Sequence, residues 1–212
     1  MTAVQEGSPI CHRGIEKGVD LLVEPSTKEM WPAWPAETPT VVSVRGLSEE
    51  FEGAGRPGHF DGVASVVTKL FVTNGPGRAY FGEKDFQQLA LVRQLNADLG
   101  LGMTVIGCPT IRDEDGLALS SRNVLLSDGG RRSALAVSAT LKKLAEKPRK
   151  LKKVDKILSE GLRDLDVAYA VAVEPVTLRR VDENYRGTAR VLIAVHVDGV
   201  RLIDNANVEL GK

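Results

Sequence analysis

The order strand, helix, strand across residues 78–108 constrains this chain more than any other feature of its sequence. Arg78 to Phe81 is a short β-prone run, and Gly82 breaks it. From Lys84 onward, Leu89, Leu91, Val92 and Leu95 fall at helical spacing, which predicts a helix over Lys84 to Asp98 ending near Gly100. Met103 to Cys108 is a second apolar run of strand length. A strand, a crossover helix and another strand imply a βαβ unit, a parallel sheet and an α/β fold.

In open α/β sheets, ligands bind at the carboxyl ends of the strands. Helix N-termini there offer free N–H groups and a positive dipole end to an anion. Gly82, Lys84 and Asp85 occupy that position. Lys84 suits a phosphate, and Asp85 suits a metal ion or a ribose hydroxyl. Gln88 lies one turn after Lys84 on the same face. An ordinary helix start, with a first-turn acid and a solvated lysine, fits the same spacing. A second loop follows the second strand: Asp115-Gly-Leu-Ala-Leu-Ser-Ser-Arg-Asn123. Ser120 and Ser121 offer adjacent hydroxyls. Arg122 offers a planar, permanently charged fork suited to a phosphoryl group. Taken alone, Ser-Ser-Arg-Asn is more often a turn plus a helix cap. Two such loops after two successive strands make a candidate phosphate site.

Around this unit, Val19 to Val23 and Thr40 to Val44 read as further strands, joined through a Pro-rich connection to Glu37. Val63, Val66, Val67, Leu70 and Phe71 mark an amphipathic helix, with Gly53 to Gly62 as a loop before it. In that loop Arg56 and His59 can reach a carboxylate substrate; the competing reading is a turn with a solvated Arg and a packing His. Ser127-Asp128 caps a helix to about Glu146. Leu151 to Leu165 carries one more helix. Val167 to Val173, Ala189 to Val197 and Val200 to Ile203 read as strands, so a small α+β part follows residue 124.

Lys plus Arg equals Asp plus Glu at 28 each, so the formal charge is zero, which gives no argument for nucleic acid. The basic run Lys147 to Lys153 has no interleaved aromatic residue and reads as a solvated hinge. No apolar run approaches a membrane span and no signal-peptide pattern opens the chain, so a cytoplasmic protein is expected. Cys11 and Cys108 suggest reduced, buried thiols rather than a disulfide or a metal site. Met1 to Lys17 has little periodicity and is expected to be loose.

At four segments the chain resembles the pantothenate synthetase (pantoate–β-alanine ligase) family. They are Glu52-Gly-Ala-Gly-Arg-Pro-Gly-His-Phe-Asp-Gly-Val63, Phe81-Gly-Glu-Lys-Asp-Phe-Gln-Gln-Leu89, Asp115 to Asn123, and Leu202-Ile-Asp-Asn205. Their order and spacing match the family from about Gly18 to the end. The resemblance implies a Rossmann-like nucleotidyltransferase domain over 1–124, with a parallel sheet truncated at its N-terminus, and a small α+β lid domain over 125–212. It implies ATP, Mg²⁺, pantoate and β-alanine as ligands, no protein-caged metal, and a homodimer. The implied reaction passes through pantoyl adenylate and releases pyrophosphate, then AMP. The implied ATP set is Gly82, Glu83, Lys84, Asp85, Ile111, Leu119, Ser120, Ser121 and Arg122, with Lys84 and Arg122 as the catalytic cations. Gln88 is implied to hold pantoate. The family pattern opens with a His-x-Gly-His motif, and none of the three histidines, His12, His59 and His196, lies in one. Two other readings therefore stand beside the ligase: a non-catalytic nucleotide-binding or scaffolding homologue, and one part of a split enzyme.

Overall fold

The structure, a computed structural model, describes residues 16–211. It divides into two compact units, Met1–Val41 and Val42–Lys212. Cys11 and most of the N-terminal run expected to be loose lie outside the described residues.

In the first unit, helix α1 (Thr27–Met30) is set by a capping box. The Glu29 N–H donates to Ser26 Oγ at 3.2 Å, and the Ser26 N–H donates to Glu29 Oε2 at 2.8 Å. The strand expected at Val19 to Val23 does not form, nor does the one at Thr40 to Val44. β-prone residues make a strand only where a neighbour takes up their N–H and C=O groups, and no strand pairs with either run among the described residues. Val19, Leu21 and Val23 stay at least half exposed.

The second unit carries the βαβ element. Helix α2 (Glu52–Gly55) is a single turn inside the segment expected to be a loop. The chain there passes so close to the Ser48 carbonyl that a Cβ at Gly53 would collide with it. Helix α3 (His59–Asn74) follows, and its buried stripe is Phe60, Ala64, Val67 and Phe71. The stripe is rotated from the expected one, and Leu70 is exposed. Strand β1 (Arg78–Gly82) leads through a 3₁₀ turn (Glu83–Asp85) into helix α4 (Phe86–Leu99). Gly100 ends α4 in the left-handed conformation. Strand β2 (Thr104–Cys108) pairs parallel to β1, from Arg78 opposite Thr104 to Gly82 opposite Cys108. Cys108, at the end of β2, is free and only half-buried, and β2 is paired on one edge alone among the described residues.

Helix α5 (Asp128–Ala145) starts at Ser127, whose Oγ accepts from the Gly130 N–H at 3.0 Å and donates to Asp198 Oδ2 at 2.8 Å. Ser127→Ala should lower stability by about 1 kcal/mol, the usual value of such a cap, read as a shift of the urea midpoint. Helix α6 (Leu151–Gly161) is shorter than expected. Strands β3 (Asp166–Val173), β4 (Gly187–Val197) and β5 (Val200–Leu210) form an antiparallel sheet in that order. Residues alternate across β4. Val191, Ile193 and Val195 join the cluster beneath α5 and α6, while Leu192 joins Val173 and Leu178 in the cluster around α3 and α4. Burial on both faces explains why this strand reads as an unbroken apolar run.

β5 runs seven positions beyond Ile203, the end expected from the sequence. Asp204, Asn205 and Asn207 look like turn residues, but each has a partner in the folded chain. The basic run also differs from a solvated hinge. Arg149 is buried, its Nη2 donates to the Lys143 carbonyl at 2.6 Å, and its N–H donates to the Glu209 carbonyl. Lys147, Lys150, Lys152 and Lys153 are exposed as expected.

Candidate active site

The parallel pair β1–β2 ends its two strands side by side, so the residues that follow each strand are brought together. After β1, the 3₁₀ turn presents Lys84 and Asp85, and the first turn of α4 presents Gln88. After β2, residues 111–119 fold back on themselves, with a bridge between Arg112 and Ala118 and the Leu119 N–H donating to the Ile111 carbonyl at 2.9 Å. That return delivers Ser120 to a second 3₁₀ turn (Ser121–Leu125). Ser120 Oγ accepts from the Arg122 N–H at 3.2 Å, so the cap reading of this segment holds alongside its place in the cleft.

These pieces line one cleft of about 330 Å³, large enough for a small-molecule ligand. Lys84, Asp85, Gln88, Leu119, Ser120, Ser121 and Arg122 lie on its wall, with Arg56 from the end of α2 and His59 from the start of α3. Gly82, Glu83 and Ile111 do not line it. Gly82 closes β1, and Ile111 is 68% exposed beyond the cleft. Glu83 Oε2 accepts from Arg190 Nη2 at 3.0 Å.

Charge separates the structural residues from the available ones. Around the cleft, Arg112 is paired with Asp204, Arg190 with Glu83 and Arg201 with Glu52. Among the described residues no carboxylate pairs with Lys84, Arg122 or Arg56. Three cations therefore face a cleft in which Asp85 is the acidic group without a cationic partner. Among the described residues no group of three or more His, Cys, Asp and Glu side chains converges as a metal cage. Mg²⁺ carried by a polyphosphate needs only one or two protein carboxylates, and a lone Asp85 beside Lys84 fits that demand.

Arg56 Nη1 lies 2.8 Å from His59 Nε2. The guanidinium can only donate, so Nε2 accepts and the His59 proton sits on Nδ1. Burial, then the Arg56 charge, holds the His59 pKa below its ordinary 6.5. A proton therefore binds the unfolded chain more readily than the folded one, and stability falls as pH drops below about 6.5. Arg56→Met should raise the His59 pKa, followed by its imidazole proton shifts in NMR. An unchanged or lower value would refute this account of the pair.

Sequence reasoning assigned no role to several residues of this wall. Glu52, Tyr169, Asp204 and Asn205 all line the cleft. Glu52 is buried, and it accepts from Arg201 and from the Tyr169 hydroxyl at 3.0 Å. Burial and the Glu52 charge push the Tyr169 phenol far above its ordinary pKa, so it serves as a fixed donor. Gln87 is buried beside Gln88, and its amide holds the Leu47 and Glu50 carbonyls and the Glu52 N–H. The segments Glu52–Val63 and Leu202–Asn205 were the only signal for Glu52, Asp204 and Asn205, Gln87 lay in Phe81–Leu89, and nothing in the sequence singled out Tyr169.

Comparison with known proteins places this arrangement. The family model for pantoate–β-alanine ligase matches residues 11–207. Pantothenate synthetase of Cereibacter sphaeroides is 47% identical over 193 residues, covering 89% of this chain and 68% of that protein. The Acetivibrio thermocellus enzyme is 43% identical over 202 residues, covering 91% and 70%. Among solved structures, pantothenate synthetase from Thermus thermophilus superposes with a TM-score of 0.83 at 42% identity, covering 93% of this chain and 73% of that one. The Francisella tularensis pantoate–β-alanine ligase, complexed with β,γ-ATP and β-alanine, superposes with a TM-score of 0.68 at 30% identity, covering 92% and 67%. With one model spanning residues 11–207 and relatives 43% and 47% identical, the chain belongs to the pantoate–β-alanine ligase family.

Proposed function

We propose that this chain joins pantoate to β-alanine at the expense of ATP, through a pantoyl adenylate. The observation that carries the reading is the set of cations, Lys84, Arg122 and Arg56, that have no carboxylate partner among the described residues and line the cleft at the ends of β1 and β2. The family and the ligands of the Francisella relative support the same substrates. In the first step a pantoate carboxylate oxygen attacks the α-phosphorus, and the P–O bond to pyrophosphate breaks. In the second, the β-alanine nitrogen attacks the acyl carbon, loses a proton, and AMP leaves with the acyl C–O electron pair.

The protein's part is alignment and neutralisation of charge. Lys84 and Arg122 take the phosphate charge, and Ser120 and Ser121 donate to phosphate oxygens. Leu119 borders the nucleotide inside the cleft, while Gly82, Glu83 and Ile111, which do not line it, would meet only the part of the nucleotide that extends beyond. Asp85 would hold the nucleotide's Mg²⁺ or its ribose; the ion supplies further neutralisation of the phosphates when bound. Gln88 holds pantoate, and Arg56 and His59 meet a substrate carboxylate. Residues 125–212 act as a lid whose closed form is held by Arg190 on Glu83, Arg201 on Glu52, Arg112 on Asp204 and Asn205 on the Glu83 and Lys84 carbonyls, and opening it separates these contacts together. A homodimer in the cytoplasm completes the proposal. No helix among the described residues is long and apolar enough to cross a membrane.

Pantoate-dependent exchange of labelled pyrophosphate into ATP tests the first step alone. Exchange that requires pantoate supports the ligase. ATP binding without exchange favours the non-catalytic nucleotide-binding alternative. Within the ligase reading, Gln88→Ala should leave ATP affinity within about twofold and raise the KM for pantoate by about tenfold, the value of one lost hydrogen bond to a charged group. A matching loss of ATP affinity would move Gln88 to the nucleotide.

A further inference from the structure

Two adjacent residues on β5 reach in different directions and hold the two loops of the cleft. Asn205 Nδ2 donates to the Glu83 carbonyl at 3.0 Å and to the Lys84 carbonyl at 2.8 Å. Its Oδ1 accepts from Arg190 Nε at 2.7 Å, so both ends of the amide are engaged. Arg190 in turn pairs with Glu83 and lies over the Phe86 ring at 4.2 Å. The turn bearing Lys84 is thus gripped at its carbonyls, its Glu83 carboxylate and its first helical ring. Asp204 grips the other loop. Its two oxygens accept from Arg112 Nη1 at 2.7 Å and Nη2 at 3.0 Å, and Arg112 Nη1 also donates to the Gly116 carbonyl at 3.1 Å. Asp204 Oδ1 also accepts from the Asn205 N–H at 2.8 Å, which fixes the Asp204 carboxylate in place. Both side chains are buried at 5% exposure, where only satisfied polar groups are tolerated.

The geometry points to Asn205 and Asp204 as positioning residues that set the spacing between Lys84 and Arg122. Part of the test rests on the ligase reading, and part does not. Asn205→Asp keeps the shape and the acceptor for Arg190 but sets a carboxylate against two carbonyls. Arg112→Lys keeps the charge but cannot span both Asp204 oxygens.

Without any ligand, Asn205→Asp should speed amide hydrogen exchange across 83–88 by about tenfold and leave 119–124 unchanged. Arg112→Lys should do the reverse. Unchanged or uniformly faster exchange overturns the proposal whatever the activity. If Asn205→Asp fails to fold, Arg112→Lys at the half-exposed end decides by the same criterion. In pyrophosphate exchange, Asn205→Asp should cost about 10–100-fold in wild type, and under about twofold in a Lys84→Ala background. An equal loss in both backgrounds means that Asn205 does not act through Lys84 and overturns the proposal. A wild type with no pyrophosphate exchange, but with the localised hydrogen-exchange changes, sinks the ligase reading and leaves the positioning role standing.

Discussion

Lys84→Ala and Arg122→Ala should each slow pantoate-dependent pyrophosphate exchange by about 10²–10³, the usual loss when one electrostatic donor to a transition state is removed. Each should also weaken ATP by about 1.5–3 kcal/mol, the range for hydrogen bonds to charged groups. The two cations sit after successive parallel strands and line the same cleft. Neither has a carboxylate partner among the described residues, whereas Arg112, Arg190 and Arg201 close by are all paired. A paired cation has its field spent inside the protein; an unpaired one on a cleft wall is available to an anion. Because both would touch one triphosphate, the double variant should lose less ATP affinity than the sum of the singles. Calorimetry on the four proteins gives the affinities. Wild-type ATP affinity in Lys84→Ala would place the nucleotide elsewhere.

The legible part of this protein was the part written in local patterns. The βαβ unit followed from the break at Gly82, the helical spacing of Leu89, Val92 and Leu95, and the apolar run ending at Cys108. Residues after each strand end were expected to converge because successive parallel strands end side by side, and Lys84 and Arg122 do share a cleft. The illegible part was held by long-range pairing. Arg201 meets Glu52 across 149 positions and Arg112 meets Asp204 across 92. Nothing local distinguishes such a charge from a solvated one. The same blindness ended β5 at Ile203, because Asp204 and Asn205 look like turn residues until Arg112 and Arg190 arrive. It also made Arg149 a surface residue. Val19 to Val23 and Thr40 to Val44 failed in the opposite sense: their β-propensity was clear, but propensity without a neighbouring strand makes no ladder.

Glu52→Ala should destabilise the second unit by about 3 kcal/mol. Glu52 is 6% exposed, and its carboxylate accepts from Arg201 Nη2 at 2.6 Å, from Arg201 Nε at 3.1 Å and from the Tyr169 hydroxyl. Removing one partner of a buried pair costs about 3–5 kcal/mol, because the other charge is left without a counter-ion. Arg201 keeps about a fifth of its side chain in water, with 21% exposed, which sets the cost at the lower end. The Tyr169 hydroxyl loses its acceptor as well. For a chain of this size, about 3 kcal/mol lowers Tm by roughly 6–12 °C. Glu52→Gln keeps the shape and one acceptor and should cost less, about 1–3 kcal/mol. The deciding variant is the double Glu52→Leu, Arg201→Met. Taking out both charges together should restore more than about 1 kcal/mol relative to Glu52→Ala, since the penalty lies in the stranded charge rather than in the lost attraction. A double variant no more stable than Glu52→Ala would mean that packing around Phe51 and Tyr169, whose rings meet edge-on at 5.2 Å, carries the stability instead.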